Sequence, residues 1–186
     1  MSAVLAIDTS TSRTSVALII DGTVKWSEFE DGATAHAEAV PRLVQKALAI
    51  ENNIAQVIVG MGPGPYTGLR AGISFAQAFA WARKIELLGV CSLDAIVCTA
   101  PEYVAATDAR RKEIYWAAYK DGIRVDGPHV NLPAEVNAKV FVGEGAHKYD
   151  LSDVATYPDL SRFAHLSPVE HPMYLRRPDA VPTLER

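Results

Sequence analysis

Residues Gly60 to Gly72, GMGPGPYTGLRAG, place five glycines and two prolines between two apolar runs. The preceding QVIVGMG reads as a short buried strand, and Thr67 to Lys84 as a helix by its length. The stretch between them is a phosphate loop or a hinge that sets the helix. A Walker loop needs Lys and then Ser or Thr after its last glycine, but Leu69 and Arg70 follow Gly68. The G-x-G-x-x-G pattern fails as well: counting from Gly60 puts Pro65 in the third glycine's place, and counting from Gly62 puts Thr67 there. Pro63 and Pro65 also remove two of the backbone N–H donors with which such loops hold anions. The stretch therefore reads as a strand-to-helix hinge.

The helix that follows carries Gly68, Gly72, Ala76 and Ala80 four residues apart, a stripe of small side chains down one face. Leu69, Ile73, Phe75, Phe79 and Trp81 cover most of the remaining circumference, and no residue between Arg70 and Arg83 is charged. A helix apolar on nearly every side is buried on nearly every side. Part of that cover is expected from a second protein, with Phe75, Phe79 and Trp81 as anchors and Gly68, Gly72 and Ala76 setting how closely the helices approach. Arg70 is out of place near a helix N-terminus, where a cation opposes the macrodipole, and calls for an acidic partner.

Working outward, Ala3 to Ile7 and Ser15 to Ile20 are apolar runs, and Asp21-Gly22 turns the second into TVKWSEF, a hairpin signal. Val40, Leu43, Val44, Ala47 and Leu48 recur at helical spacing over residues 35–50, where Pro41 starts or kinks the helix. With Ile85 to Val90 as a strand, the first half reads β-β-β-α-β-α-β. The second half repeats the theme more weakly: YVAATDARR and EIYWAAYKDG as strands, and KVFVGEGAHKY as strand, glycine turn and helix start. The tail from Ser167 holds Pro168, Pro172, Pro178 and Pro182 and reads as extended or loop-like.

The 186 residues suffice for one large domain or two small lobes. A composition 49% hydrophobic and 22% charged is that of an ordinary globular protein. The N-terminus lacks a signal-peptide pattern, and no apolar run reaches the roughly 18–20 residues of a membrane helix. Cys91 and Cys98 match no metal spacing and read as reduced core thiols of a cytoplasmic protein. A net charge of −4 without a basic block argues against unaided nucleic-acid binding. The five histidines form no metal pair, Ser74 lies mid-helix with no nucleophile elbow, and Glu28 and Glu30 read as solvated surface.

LAIDTSTSRTSVALI, GMGPGPYTGLRAGISFAQAFAWA, GVCSLDAI and ATDARRKEIYWAAY together resemble the bacterial TsaB/YeaZ family over about residues 3 to 120, with GEGA (Gly143–Ala146) and PMYLRRPDAV similar to its C-terminal part. This is the glycoprotease-like branch of the actin-like ATPase fold. The resemblance implies a two-lobed α/β chain of ribonuclease-H-like halves, with a complete first lobe (1–99) carrying the interface helices and an abbreviated second lobe (100–186). It implies a non-catalytic scaffold in threonylcarbamoylation of adenosine 37 of tRNA. The implied partners are the catalytic paralogue TsaD and the ATPase TsaE, with tRNA met only through the complex and a homodimer possible in isolation. ATP, ADP and metal belong to those partners, and none is expected on this chain alone.

On that reading the interface draws on Thr67, Gly68, Arg70, Ala71, Gly72, Phe75, Ala76, Phe79 and Trp81 of the second helix, and on His36 and Val40 of the first. The hairpin Asp8-Thr9-Ser10-Thr11 retains the acid and hydroxyls that face nucleotide in the fold, so Asp8 is either a turn-capping residue or a ligand. Ser92 and Ile96 stand where the paralogue carries its metal-binding histidine pair, and Ile96 cannot ligate a metal. The competing readings are a stand-alone ATP-dependent transferase and a metal-dependent peptidase.

Overall fold

The computed structural model describes residues 3–32 and 34–176. Strands β1 (Ala3–Asp8), β2 (Arg13–Ile20) and β3 (Thr23–Asp31) form an antiparallel meander. Asp21 and Gly22 both adopt positive φ (49° and 75°), the left-handed pair that a two-residue hairpin turn requires. Helix α1 (His36–Ile50) leads to β4 (Ile54–Gly60), and α2 (Tyr66–Arg83) to β5 (Glu86–Val90). β4 lies parallel to β1, and β5 parallel to β4, giving the order β3-β2-β1-β4-β5 of a ribonuclease-H-like half. The strand and helix order of this half is the one expected from sequence. Pro41 lies inside α1 rather than at its start, on the exposed side, and leaves the Ala37 carbonyl without its helical donor.

α1 and α2 cover one face of this sheet, packing on Leu5, Ile7, Val16, Leu18, Val57 and Val59. The opposite face, with Ala6, Ala17, Ile19 and Ile58, is covered from far along the chain by Leu160 and Phe163. Val169 N–H then bonds to the Gly89 carbonyl and Met173 N–H to the Met61 carbonyl, both at 2.8 Å. A division at residue 99 therefore misplaces this returning segment, which belongs with the first sheet. The reason is that a sheet apolar on both faces needs two covers.

The second half is a smaller sheet of order β8-β7-β6-β9, built from β6 (Glu102–Asp108), β7 (Ile114–Lys120), β8 (Ile123–Asn131) and β9 (Phe141–Val142). β8 is absent from the reading above. Its Gly127-Pro128 pair masks a strand that occupies a sheet edge, the place where a proline is tolerated. The short helix α3 (Glu144–Lys148) lies on β6. From Ser167 to Arg176 the chain forms no helix, and Pro178 and Pro182 lie outside the described residues. Among the described residues no helix is long and apolar enough to cross a membrane.

Candidate docking face and first-lobe hairpin

The hairpin between β1 and β2 is closed from within. Asp8 is buried, and its Oδ1 accepts the Ser10 N–H (2.9 Å) and Ser10 Oγ–H (2.8 Å) while Oδ2 accepts the Ser92 Oγ–H (2.6 Å). Burial pushes the carboxyl above its ordinary value, and the bonds from Ser92 and Ser10 oppose that rise. Thr9 donates its hydroxyl to the Gly68 carbonyl at 2.8 Å, and Ser10 and Thr11 are buried too. The hydrogen bonds of Asp8 are those a turn-capping residue makes. Its hydrogen-bond donors are residues of its own chain, and one of them is Ser92.

The glycine stretch explains itself against this hairpin. A β-carbon at Gly68 would fall 2.8 Å from the Thr9 carbonyl oxygen, one at Gly72 would overlap Thr9 Oγ1, and one at Gly64 would fall 2.8 Å from Ser10 Cα. The stripe Gly68, Gly72, Ala76, Ala80 is buried within the chain. This corrects the sequence reading for Gly68, Gly72 and Ala76, which bring α2 against the hairpin and sheet rather than against another molecule. The stretch is the hinge.

His36 and Val40 are likewise buried on the inner side of α1 and offer no outward surface. The His36 Nδ1 lies 2.7 Å from Thr14 Oγ1, and burial, then Arg110, hold the imidazole below its ordinary value. Arg70 lies over the Tyr66 ring, 5.4 Å from its centroid. Glu28 and Glu30 lie on the solvated surface, as read from the sequence, and there they pair with Lys46 and Arg42 of α1.

The outward half of the helix pair is a different surface. Thr67, Arg70, Ser74, Ala78 and Trp81 follow one another at helical spacing along α2, all exposed, with Trp81 84% open to solvent. Ala71, Phe75 and Phe79 are half-buried. The two phenyl rings stack 6.0 Å apart on the same flank as Gly68, the flank that meets α1 at His36. Across it, α1 turns Ala37, Pro41 and half-buried Leu48 away from the side where Arg42 and Lys46 are paired with β3. The seam is apolar and carries no charge between Arg70 and Arg83. Sequence reasoning gave α1 a part through His36 and Val40, the wrong side of the helix, and missed Ala37 and Pro41, which fall outside the apolar period that marks it.

Residues 30–156 match the family model described as TsaD: tRNA N6-adenosine threonylcarbamoyltransferase. An uncharacterized protein of Mycobacterium tuberculosis is 40% identical over 201 aligned positions, covering 98% of this chain and 95% of that one. The tRNA threonylcarbamoyladenosine biosynthesis protein TsaB of Escherichia coli is 37% identical over 127 residues, 63% of this chain and 54% of that protein. YeaZ from Pseudomonas aeruginosa superposes with a TM-score of 0.75 at 27% identity over 89% of this chain and 90% of that chain. The chain belongs to the TsaB/YeaZ family. Its two-sheet α/β architecture is the family's fold, and among the described residues the second sheet has four strands and carries the short helix α3.

Proposed function

We propose that this chain is a non-catalytic scaffold in tRNA threonylcarbamoyladenosine formation that docks the outer face of α1 and α2 onto a TsaD-like catalytic paralogue. The observation that carries the reading is the half-covered seam of Leu48, Phe75 and Phe79 between the two helices, beside the exposed stripe of α2 that ends at solvent-exposed Trp81. A face of this kind has the apolar centre and aromatic anchor of a protein interface. A role without chemistry of its own is supported by the hairpin, where Asp8 is committed to Ser10 and Ser92, and by buried Ser92 and Ile96 in the place of the paralogue's histidines. The same face would pair with itself when the paralogue is absent, and an ATPase of the TsaE type would join the assembled pair. The reaction belongs to the cytoplasm, where tRNA is. ATP, ADP and metal would be held by the partners.

The decisive experiment is capture of the purified paralogue by this chain and by its Ser74→Arg variant. Ser74 lies at the middle of the exposed stripe and touches none of the buried stripe. Binding lost with an unchanged melting temperature supports the reading; binding retained by Ser74→Arg removes it.

A further inference from the structure

The chain first crosses from one lobe to the other through residues 91–96, and the crossing is not a free hinge. Cys91, Ser92, Leu93, Ala95 and Ile96 are all fully buried. Cys91, Leu93 and Ile96 pack with Tyr103, Ala117 and Tyr119 of the second sheet, where the two tyrosine rings stack 5.0 Å apart. Asp94, the acid of this segment, is held from the second lobe. Its Oδ1 accepts the Tyr119 O–H of β7 at 2.7 Å, and Arg124 Nε of β8 lies 3.4 Å from the same oxygen. The Arg124 guanidinium also donates from Nη1 to Cys91 Sγ at 3.4 Å. Burial, then the Asp94 charge, pushes the Cys91 thiol up to about 12. Toward the first lobe, Ser92 of the same segment holds Asp8 at 2.6 Å. Elsewhere on the boundary the buried Glu144 carboxylate accepts the Ser12 N–H at 3.1 Å.

A hinge works by changing the backbone angles of a few unconstrained residues. Here those residues sit inside an apolar core that both sheets share, and Asp94 is bonded across the boundary. We propose that Arg124 and Tyr119 latch Asp94 so that the two lobes keep one angle and the chain works as a single rigid body. The lobes then do not open and close, and a partner touching both meets a surface already in place, with less to order on binding. This does not depend on the docking reading, because the latch includes no residue of α1 or α2.

Two measurements on the full chain, in a Cys98→Ser background, test the latch. Spin labels at Glu38→Cys on α1 and Lys120→Cys on β7 report the distance between lobes. One narrow distribution is expected, and a broad or two-peaked one overturns the proposal. Arg124→Met keeps the apolar stem and removes the charge. It is expected to broaden that distribution. Without the spin labels, it is expected to speed modification of Cys91 by N-ethylmaleimide about tenfold beyond what its global unfolding accounts for, the loss of a hydrogen bond to a charged group. A folded Arg124→Met with the parent's distribution and thiol protection overturns the latch. Tyr119→Phe, which removes only the hydroxyl, carries the same expectation if Arg124→Met does not fold. If neither folds, these groups hold the fold rather than the angle between lobes, and the proposal falls.

Discussion

Asp8 is a buried acid whose partners are hydroxyls and an N–H, with no cation among them. Burial raises its proton affinity in the folded chain above that in the unfolded chain. Its contribution to stability is therefore fully present below the ordinary carboxyl value of 3.8 and is lost as pH rises through the raised one. Asp8→Asn keeps an acceptor for Ser10 and can donate to Ser92, so it is expected to fold and to lose less stability across that interval. Denaturant melts of both chains at a series of pH values measure the difference; parallel curves would assign the pH dependence to other groups. Gly72 yields a second expectation. Its β-carbon would overlap Thr9 Oγ1, so Gly72→Ala should cost roughly 1–3 kcal/mol as an overpacked contact. Equilibrium unfolding checks it, and no loss would mean that the hairpin yields freely.

At the scale of elements, α2 has two unlike halves. Its inner half is fixed by small residues against the hairpin and sheet, while its outer half makes few contacts within the chain. Trp81→Ala should thus leave the melting temperature nearly unchanged, since the side chain is largely in water already. The same substitution should weaken paralogue capture by about 2 kcal/mol or more if Trp81 is an anchor of the kind found at interface centres. A calorimetric titration separates an anchor from a bystander. The period and length of α2 were legible from GLRAGISFAQAFA. Which of its faces turns inward was not, because small and large apolar residues both satisfy the helical pattern, and only the neighbouring Thr9 and His36 decide between them.

For the whole molecule, the returning segment ties the last third of the chain to the first sheet. Phe163 is buried there with Ile19 and Ile58. Phe163→Ala should cost about 3–5 kcal/mol and lower the cooperative melt of the chain as a unit. Two separated transitions, with the first-half transition unmoved, would contradict this. If the scaffold reading holds, the purified chain by itself neither hydrolyses ATP nor modifies tRNA. Phosphate release abolished by Asp8→Ala would reverse that assignment.

The sequence by itself determined the first sheet, because apolar runs of strand length, one Asp-Gly turn and two helical periods are local patterns set by backbone geometry. It also carried the motifs that mark the family. The tertiary structure alone decided that Asp8 is satisfied by Ser92, that Gly68 and Gly72 face the hairpin, that Glu144 reaches Ser12, and that residues 160–173 close the first sheet. Ser92 lies 84 positions from Asp8 and Glu144 lies 132 from Ser12. A contact between side chains so far apart in sequence leaves no periodicity along the chain, since it exists only once the intervening elements have packed.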